Sequence, residues 1–349
     1  MGKVSPALSS KFSNMSFVSA LVVVLVHCYQ EGDKGTAFWW FTELVGGGKW
    51  LTGGLVRFAV PFFFLASGFF LAGHIGERGW WKRALLTRVR TLLVPYFAWL
   101  TVACLLTLAY RTVTGDMFPD IRWWLKSYGI VNQGFPILKQ FWFLKCLYIL
   151  IVLSPLLFRC AKPILLVVLF CLYGIVAINP FHLQPFWTWL WGNTLSIEGG
   201  AFFTLGIYLR RSPGINIEQL PHWFWGGTVA LTAIFLIAYA VLDLNGSSFA
   251  LVFRWAAVPV SVVAVWGVVP CRRWPRWLTA ESFPIYLTHL FFVEGFSRFV
   301  SSRGLTSESS VMFSRLFLIW VGSVGACILF VTVLRKYLAK CSDIMFGGR

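Results

Sequence analysis

A histidine near the end of the first long apolar run is the residue best placed to do chemistry. His27 follows the run A-L-V-V-V-L-V, and an ionisable side chain inside a membrane needs a polar partner or a water-filled cavity. The pKa of a free imidazole lies near neutral pH, so His27 is a candidate general base. The alternative is a histidine anchored at the membrane interface that has no chemical role. Position alone leaves both interpretations open.

Further polar residues lie inside other apolar runs. Arg57, Lys145, Glu198 and Glu294 are site candidates, because a charge within a span must be paired or face a polar cavity. For Arg57 and Lys145, snorkelling towards the outer interface is a simple alternative. His289, in S-F-P-I-Y-L-T-H, lies early in its run, towards the cytoplasmic side. It could carry a proton, contact a cofactor or only pack.

Several catalytic motifs are missing from the chain. Ser67 lies in L-A-S-G-F and not in a G-x-S-x-G elbow, and there is no Walker loop, G-x-G-x-x-G or H-E-x-x-H. Asp33 follows His27 one residue too late for the H-x-x-x-x-D pattern of glycerolipid acyltransferases. We therefore predict no metal site and no nucleoside triphosphate or dinucleotide chemistry.

The elements that must position these residues are membrane helices. The chain is 58% hydrophobic and only 12% charged, with a mean hydropathy of +0.73, which is typical of a bilayer protein. The net charge of +17 could suggest nucleic acid, but the basic residues lie in short loops between apolar runs. We predict no nucleic-acid partner, and contact of some basic residues with anionic lipid or an anionic cofactor.

Ten apolar runs are long enough, at about 20 residues each, to be candidate spans. They are Ser13–Tyr29, Leu51–Ala72, Leu92–Tyr110, Phe141–Phe158, Pro163–Ile178, Trp187–Leu209, His222–Leu242, Phe249–Val269, Phe283–Phe299 and Met312–Leu334. Strongly basic loops alternate with acidic, mixed or uncharged ones, which predicts that both termini are cytoplasmic. The predicted fold class is an all-α polytopic membrane protein with about ten transmembrane helices, in one domain over residues 1–349.

Two other features bear on the chemistry. The eight cysteines include no C-x-x-C pair, and we interpret those within apolar runs (Cys104, Cys146, Cys171 and Cys327) as buried small hydrophobes. The segment from Trp80 to Tyr96 is basic and leads into a span, so Arg88 and Arg90 could clamp the phosphates of an acyl-CoA or a nucleotide. Topology and lipid contact are the alternative explanation for these two arginines.

Five segments together resemble the acyltransferase-3 family of integral membrane O-acyltransferases. They are A-L-V-V-V-L-V-H ending at His27, R-F-A-V-P-F-F-F-L-A-S-G-F-F-L from Arg57, R-V-R-T-L-L-V-P-Y from Arg88, W-F-L-K-C-L-Y from Trp142 and S-F-P-I-Y-L-T-H ending at His289. Each match is weak by itself, but the five occur in the family's order across most of the chain.

The resemblance implies transfer of an acyl group, usually acetyl, from cytoplasmic acyl-CoA to a hydroxyl of an envelope glycan or lipid-linked saccharide. It also implies an integral protein of a bacterial inner membrane, surrounded by lipid, which could form a homo-oligomer. The family's histidine maps onto His27 and its basic loop onto Arg88 and Arg90. Family members commonly carry Asp and Arg where this chain has Ser13 and Ser16.

The remaining roles are hypotheses built on that resemblance. Lys11 or Arg57 could supply the missing positive charge, and Arg57 or Ser67 could stabilise the oxyanion. We assign a cofactor contact to His289. Acceptor binding is assigned to Glu198, Lys145 and Trp142.

Three other functions are open at this point. A transporter or flippase for a glycan or anionic metabolite would use the same charges inside the membrane as a pathway, although no paired inverted repeats are evident in the sequence. The other major family of membrane-bound O-acyltransferases is also histidine-based. A catalytically inactive sensor or scaffold would explain Ser13 and Ser16.

Overall fold

The computed structural model describes residues 4–28, 58–117, 119–130, 136–178, 195–212, 222–241, 248–302 and 309–348. These described ranges contain helices and turns but no strand. The all-helical fold class predicted from the sequence is therefore confirmed for this part of the chain.

The longer helices cover most of the described part of each apolar run. In chain order the helices are α1 (Pro6–Cys28), α2 (Ala59–Ala72), α3 (Trp80–Arg88), α4 (Val94–Thr114), α5 (Ile121–Ser127), α6 (Trp142–Val152), α7 (Ser154–Cys160), α8 (Pro163–Ile178), α9 (Ile197–Arg211), α10 (His222–Val241), α11 (Ser248–Val268), α12 (Arg276–Thr279), α13 (Ser282–Ser302), α14 (Ser309–Tyr337) and α15 (Ala339–Phe346). A π turn, Val89–Leu93, joins α3 to α4, and a short 3₁₀ turn, Lys139–Phe141, precedes α6.

Three helical segments within the described residues are long and apolar enough to cross a membrane: Pro6–Cys28, Trp80–Thr114 and Leu316–Tyr337. Four shorter apolar helical segments accompany them: Ala59–Ala72, Pro163–Ile175, Trp223–Ile234 and Ala256–Val268. A helix lies within each of the ten predicted spans, although only these three segments meet the length and hydropathy required. The number of spans and the side of each terminus stay predictions.

Two predicted span boundaries are corrected by local chemistry. The first helix begins at Pro6 and not at Ser13, because the Ser5 hydroxyl caps it by accepting the Leu8 N–H at 3.1 Å. The predicted span Phe141–Phe158 is divided into α6 and α7. Pro155 has no N–H to continue the helix, and the Ser154 hydroxyl donates to the Ile151 carbonyl at 2.7 Å. The Ser-Pro pair was a readable signal for this break.

One face of α8 is an exposed apolar stripe. Ile164, Val167, Val168, Leu172 and Ile175 are all exposed, at the spacing of one side of a helix. In an integral membrane protein such a face contacts lipid. Cys171 lies on the same face and is exposed, which corrects its predicted burial, whereas Cys104, Cys146 and Cys327 are buried as predicted.

The chain divides into two compact units. The first contains Met1–Ala66, Tyr173–Pro180 and Arg211–Thr332. Its core joins apolar residues of α1, α13 and α14, among them Val24, Ile285 and Ile319. The Trp320 indole also donates to the Leu21 carbonyl at 2.9 Å. α1 is therefore held along its length by two later helices.

The second unit contains Ser67–Leu172, Phe181–Arg210 and Val333–Arg349. The Tyr96 hydroxyl donates to the Tyr128 carbonyl at 2.8 Å, and the Trp99 indole donates to the Met345 carbonyl at 2.9 Å. α2 and α9 approach closely, because a Cβ at Gly68 would overlap the Phe203 carbonyl oxygen. Small residues permit such contacts between membrane helices.

Candidate functional site

Two imidazole rings meet in the first unit. His27 is the penultimate residue of α1, and its side chain is exposed. His289 lies in the first half of α13 and is fully buried. The ring centroids are 5.1 Å apart, with the planes inclined at 36°. Sequence position did not predict this proximity, since it put His289 towards the cytoplasmic side and His27 towards the outer side.

The backbone of α13 fixes the tautomer of His289. Its Nδ1 lies 2.8 Å from the Tyr286 carbonyl oxygen and 3.2 Å from that of Ile285. A carbonyl only accepts, so Nδ1 must carry a proton that it donates there. An unpaired imidazolium in this buried site would be costly, which favours the neutral ring. Nε2 of that ring is a buried acceptor that has no partner among the described residues.

The surroundings of the pair differ on its two sides. The ring of Tyr286 lies 6.1 Å from that of His289, and Thr288 and Cys327 are fully buried in the same unit. His289 is therefore enclosed by the protein, while the neighbouring His27 is exposed. No cluster of three or more metal-ligating side chains occurs within the described part of the chain.

The two candidates for oxyanion stabilisation, Arg57 and Ser67, are not part of the histidine pair described above. Arg57 lies outside the described residues. Ser67 is half-buried in α2 and belongs to the second unit. The roles assigned to both residues stay predictions.

The candidate phosphate clamp lies at the junction of α3 and α4. Arg88 ends α3 and is half-buried, whereas Arg90 is exposed within the π turn. Residues two apart do not face each other on a regular helix, and these two side chains have different environments. π turns occur often at functional sites. Binding of a cofactor by these arginines stays a prediction.

The three acceptor-binding candidates lie on two helices that are bonded together. Lys145 and Trp142 are on α6, and the Lys145 ammonium donates to the Gly129 carbonyl at 3.2 Å. Glu198 lies in the first turn of α9. The Ser196 N–H, just before α9, donates to the Cys146 sulfur at 3.3 Å. The structure therefore brings the segments carrying these candidates together, although a carboxylate at a helix N-terminus also has a structural explanation.

Two other charged residues receive structural explanations. Glu294 is exposed and pairs with Arg298 at 2.8 Å on the same helix face, so it needs no site. The Lys11 ammonium lies over the rings of Trp225 and Trp266, at 5.4 and 5.1 Å from their centroids. Its charge is therefore held by aromatic faces.

Sequence reasoning missed a polar clamp near the start of α1. Asn14 is 1% exposed, and its amide nitrogen donates to the carbonyls of Pro270 and Arg272 at 2.9 and 2.8 Å. An asparagine within the apolar run F-S-N-M-S-F was the available signal. The clamp holds the basic segment 270–276 against α1.

A cleft of about 620 Å³ opens beside this clamp. Its walls include Ser9, Ser10 and Ser13 of α1 and the side chains of Arg273 and Arg276. The residues that line it include no acidic side chain.

Comparison with protein families finds a match over most of the chain. The acyltransferase-3 family model, described as an acyltransferase domain, matches residues 14–335. This match covers most of the chain and confirms the resemblance inferred from the five segments. The curated proteins and the solved structures gave no significant match.

Proposed function

This chain belongs to the acyltransferase-3 family and is an integral membrane acyltransferase; from that premise we propose that it transfers an acetyl or other acyl group from cytoplasmic acyl-CoA. The proposed acceptor is a hydroxyl of an envelope glycan or lipid-linked saccharide. The observation that carries the proposal is the accessible His27 ring beside the buried acceptor nitrogen of His289. One of the two imidazoles can reach a substrate, and the other can orient it.

In the proposed reaction His27 acts as the general base. It takes the proton of the acceptor hydroxyl while the hydroxyl oxygen attacks the thioester carbonyl carbon. The new C–O bond forms, the C–S bond breaks, and the departing CoA thiolate takes up the proton from His27. A positioned general base contributes roughly 10²- to 10⁴-fold to the rate.

His289 is proposed as a positioning residue. Its Nε2 accepts the N–H of His27, which leaves the other nitrogen of His27 free to take the proton. Centroids 5.1 Å apart can bring two facing ring nitrogens within hydrogen-bond distance, and such bonds often tighten only when substrate is bound. This role differs from the cofactor contact expected from the sequence, which stays a prediction.

The other site residues keep their proposed roles. Arg57 or Ser67 would stabilise the oxyanion, and Arg88 and Arg90 are the donor-phosphate contacts that the family resemblance implies. Lys145, Trp142 and Glu198 would bind the acceptor, supported by the bond that joins α6 to the start of α9.

The proposed setting is a bacterial inner membrane crossed about ten times, with both termini in the cytoplasm. The exposed apolar stripe of α8 and the alternation of basic loops support this arrangement. The acceptor hydroxyl would then reach His27 from the outer side.

The test is to incubate membranes with labelled acetyl-CoA and to fractionate lipids and glycans. Wild type should transfer label to an acceptor whose mass rises by one acetyl group, and His27→Ala should lose roughly 10²- to 10⁴-fold of that rate. His74→Ala is the matched control, because His74 is an exposed histidine whose ring pairs with Glu77 at the surface. Wild-type transfer by His27→Ala would overturn the mechanism, and an acceptor of unchanged mass would indicate transport instead.

A further inference from the structure

The cleft beside α1 has the chemistry of a phosphate site. Arg273 and Arg276 bring two guanidinium groups to its rim, and both side chains are exposed. Guanidinium groups bind phosphate oxygens through paired, charge-assisted hydrogen bonds. Because no acidic side chain lines the cleft, these charges are not neutralised there.

Hydroxyl groups and a helix terminus add to this potential. Ser9, Ser10 and Ser13 line the cleft from α1 and bring three hydroxyl groups to it. The first turn of α1 also borders the cleft, and a helix N-terminus favours an anion. Ser13 carries no negative charge that would oppose phosphate.

The clamp at Asn14 provides an independent reason to expect a ligand. Asn14 is 99% buried and lines the cleft, and its amide nitrogen holds the basic segment in place. Its amide oxygen is buried and has no hydrogen-bond partner among the described residues. A buried acceptor without a partner is uncommon, and a ligand that carries N–H groups would satisfy it.

We propose that this cleft, in place of Arg88 and Arg90, binds the phosphate groups of the acyl-CoA donor. Acyl-CoA combines phosphates with an arm that contains amide N–H groups, which matches the arginines and Asn14 together. Ser13 and His27 are separated by about 21 Å along α1, at the helical rise of about 1.5 Å per residue. An extended phosphopantetheine arm has a comparable length, so a donor anchored here could present its thioester near His27. This assignment of the occupant rests on the proposed function.

Other polar residues of α1 do not supply this positive charge. The Ser16 hydroxyl donates to the Phe12 carbonyl at 2.8 Å. Lys11 is held by two indole rings and does not line the cleft. Arg273 and Arg276 supply positive charge from a different segment.

Cys271 offers a direct readout, because it lines the cleft and is a free, exposed thiol. The full-length protein is placed in nanodiscs of neutral phosphatidylcholine, and N-ethylmaleimide alkylation of each cysteine is followed by mass spectrometry. The probe is desulfo-CoA, which has the donor's phosphates but no thiol. At about ten times its dissociation constant, desulfo-CoA should slow the alkylation of Cys271 roughly tenfold. Cys341, which is exposed in the second unit, should react at an unchanged rate.

Variants connect this protection to the arginines. Arg273→Ala and Arg276→Ala should each weaken desulfo-CoA binding about tenfold or more, as expected for the loss of a charge-assisted hydrogen bond. Arg159→Ala removes the same charge from an exposed residue that does not line the cleft, and this variant should bind as wild type. Thermal unfolding of each variant identifies any that has lost its fold. Wild-type protection in a folded double variant would overturn the proposal.

Anionic lipid is the other source of phosphate. Nanodiscs that contain phosphatidylglycerol should leave Cys271 reactive until desulfo-CoA is added. Protection by phosphatidylglycerol alone, with no further effect of desulfo-CoA, would overturn the donor as the occupant. Protection should persist in His27→Ala, which is expected to have lost acyl transfer. If wild type transfers the acyl group but desulfo-CoA does not protect Cys271, only the assignment of the cleft is refuted. If desulfo-CoA protects Cys271 but wild type transfers no acyl group, only the proposed reaction is refuted.

Discussion

The ring centroids of the exposed His27 and the fully buried His289 lie 5.1 Å apart, and Nε2 of His289 has no hydrogen-bond partner among the described residues. If that nitrogen orients His27, removing it should slow the chemical step. We expect His289→Ala to lower kcat about 100-fold, since small errors in positioning cost rates of that order. The KM for acyl-CoA should change little.

His289→Gln is the matched variant, because its amide oxygen can occupy the position of Nε2 and accept the N–H of His27. It should recover a large part of kcat. The pH–rate profile, which we expect His289→Ala to shift, should return towards that of wild type in His289→Gln. A purely structural role predicts a different outcome, in which both variants lose protein stability and their pH profiles do not move. Equal kcat values for both variants and wild type would contradict the positioning role.

The Asn14 clamp should contribute measurably to stability. Asn14→Ala removes two hydrogen bonds and leaves the Pro270 and Arg272 carbonyls without their partner. We expect the free energy of unfolding to fall by about 2–3 kcal/mol. Alkylation of Cys271 should also become faster as the segment loosens. Ser13→Ala, at an exposed neighbouring position, should change stability by less than about 0.5 kcal/mol. Equal free energies of unfolding for both variants would show that the clamp does not contribute to stability.

The sequence predicted properties that depend on local composition. The length of the apolar runs indicated the helices. The position of His27 at the end of such a run indicated a candidate general base. The pairing of His27 with His289 depends on the relative depth and rotation of α1 and α13, which no local pattern specifies. The cleft likewise requires Asn14 to join segments more than 250 residues apart. By contrast, the break between α6 and α7 was readable at Pro155, whose missing N–H has a purely local effect.

Gly68 should tolerate no side chain. A Cβ there would overlap the backbone carbonyl of Phe203, which cannot move aside as a flexible side chain can. Gly68→Ala should therefore lower the free energy of unfolding by about 1–3 kcal/mol, as overpacking does. Gly200→Ala, on the same helix as Phe203, meets only the tip of Leu150 at 3.8 Å. That variant should be neutral or slightly stabilising. Chemical unfolding in detergent checks both, and an unaffected Gly68→Ala would refute the close approach of α2 and α9.

The orientation of the chain can be tested with its own thiols. Basic residues favour the cytoplasmic side, so Cys271 and Cys341, which lie beside basic segments, should be shielded from a membrane-impermeant maleimide in intact cells. Both should react once the membrane is permeabilised. A cysteine introduced as Asp116→Cys, just after α4, should react in intact cells, because that loop is predicted to lie outside. Labelling of Cys271 in intact cells would instead put the cleft on the outer side. The proposed cytoplasmic donor could then not reach it, and both the topology and the donor site would have to be abandoned.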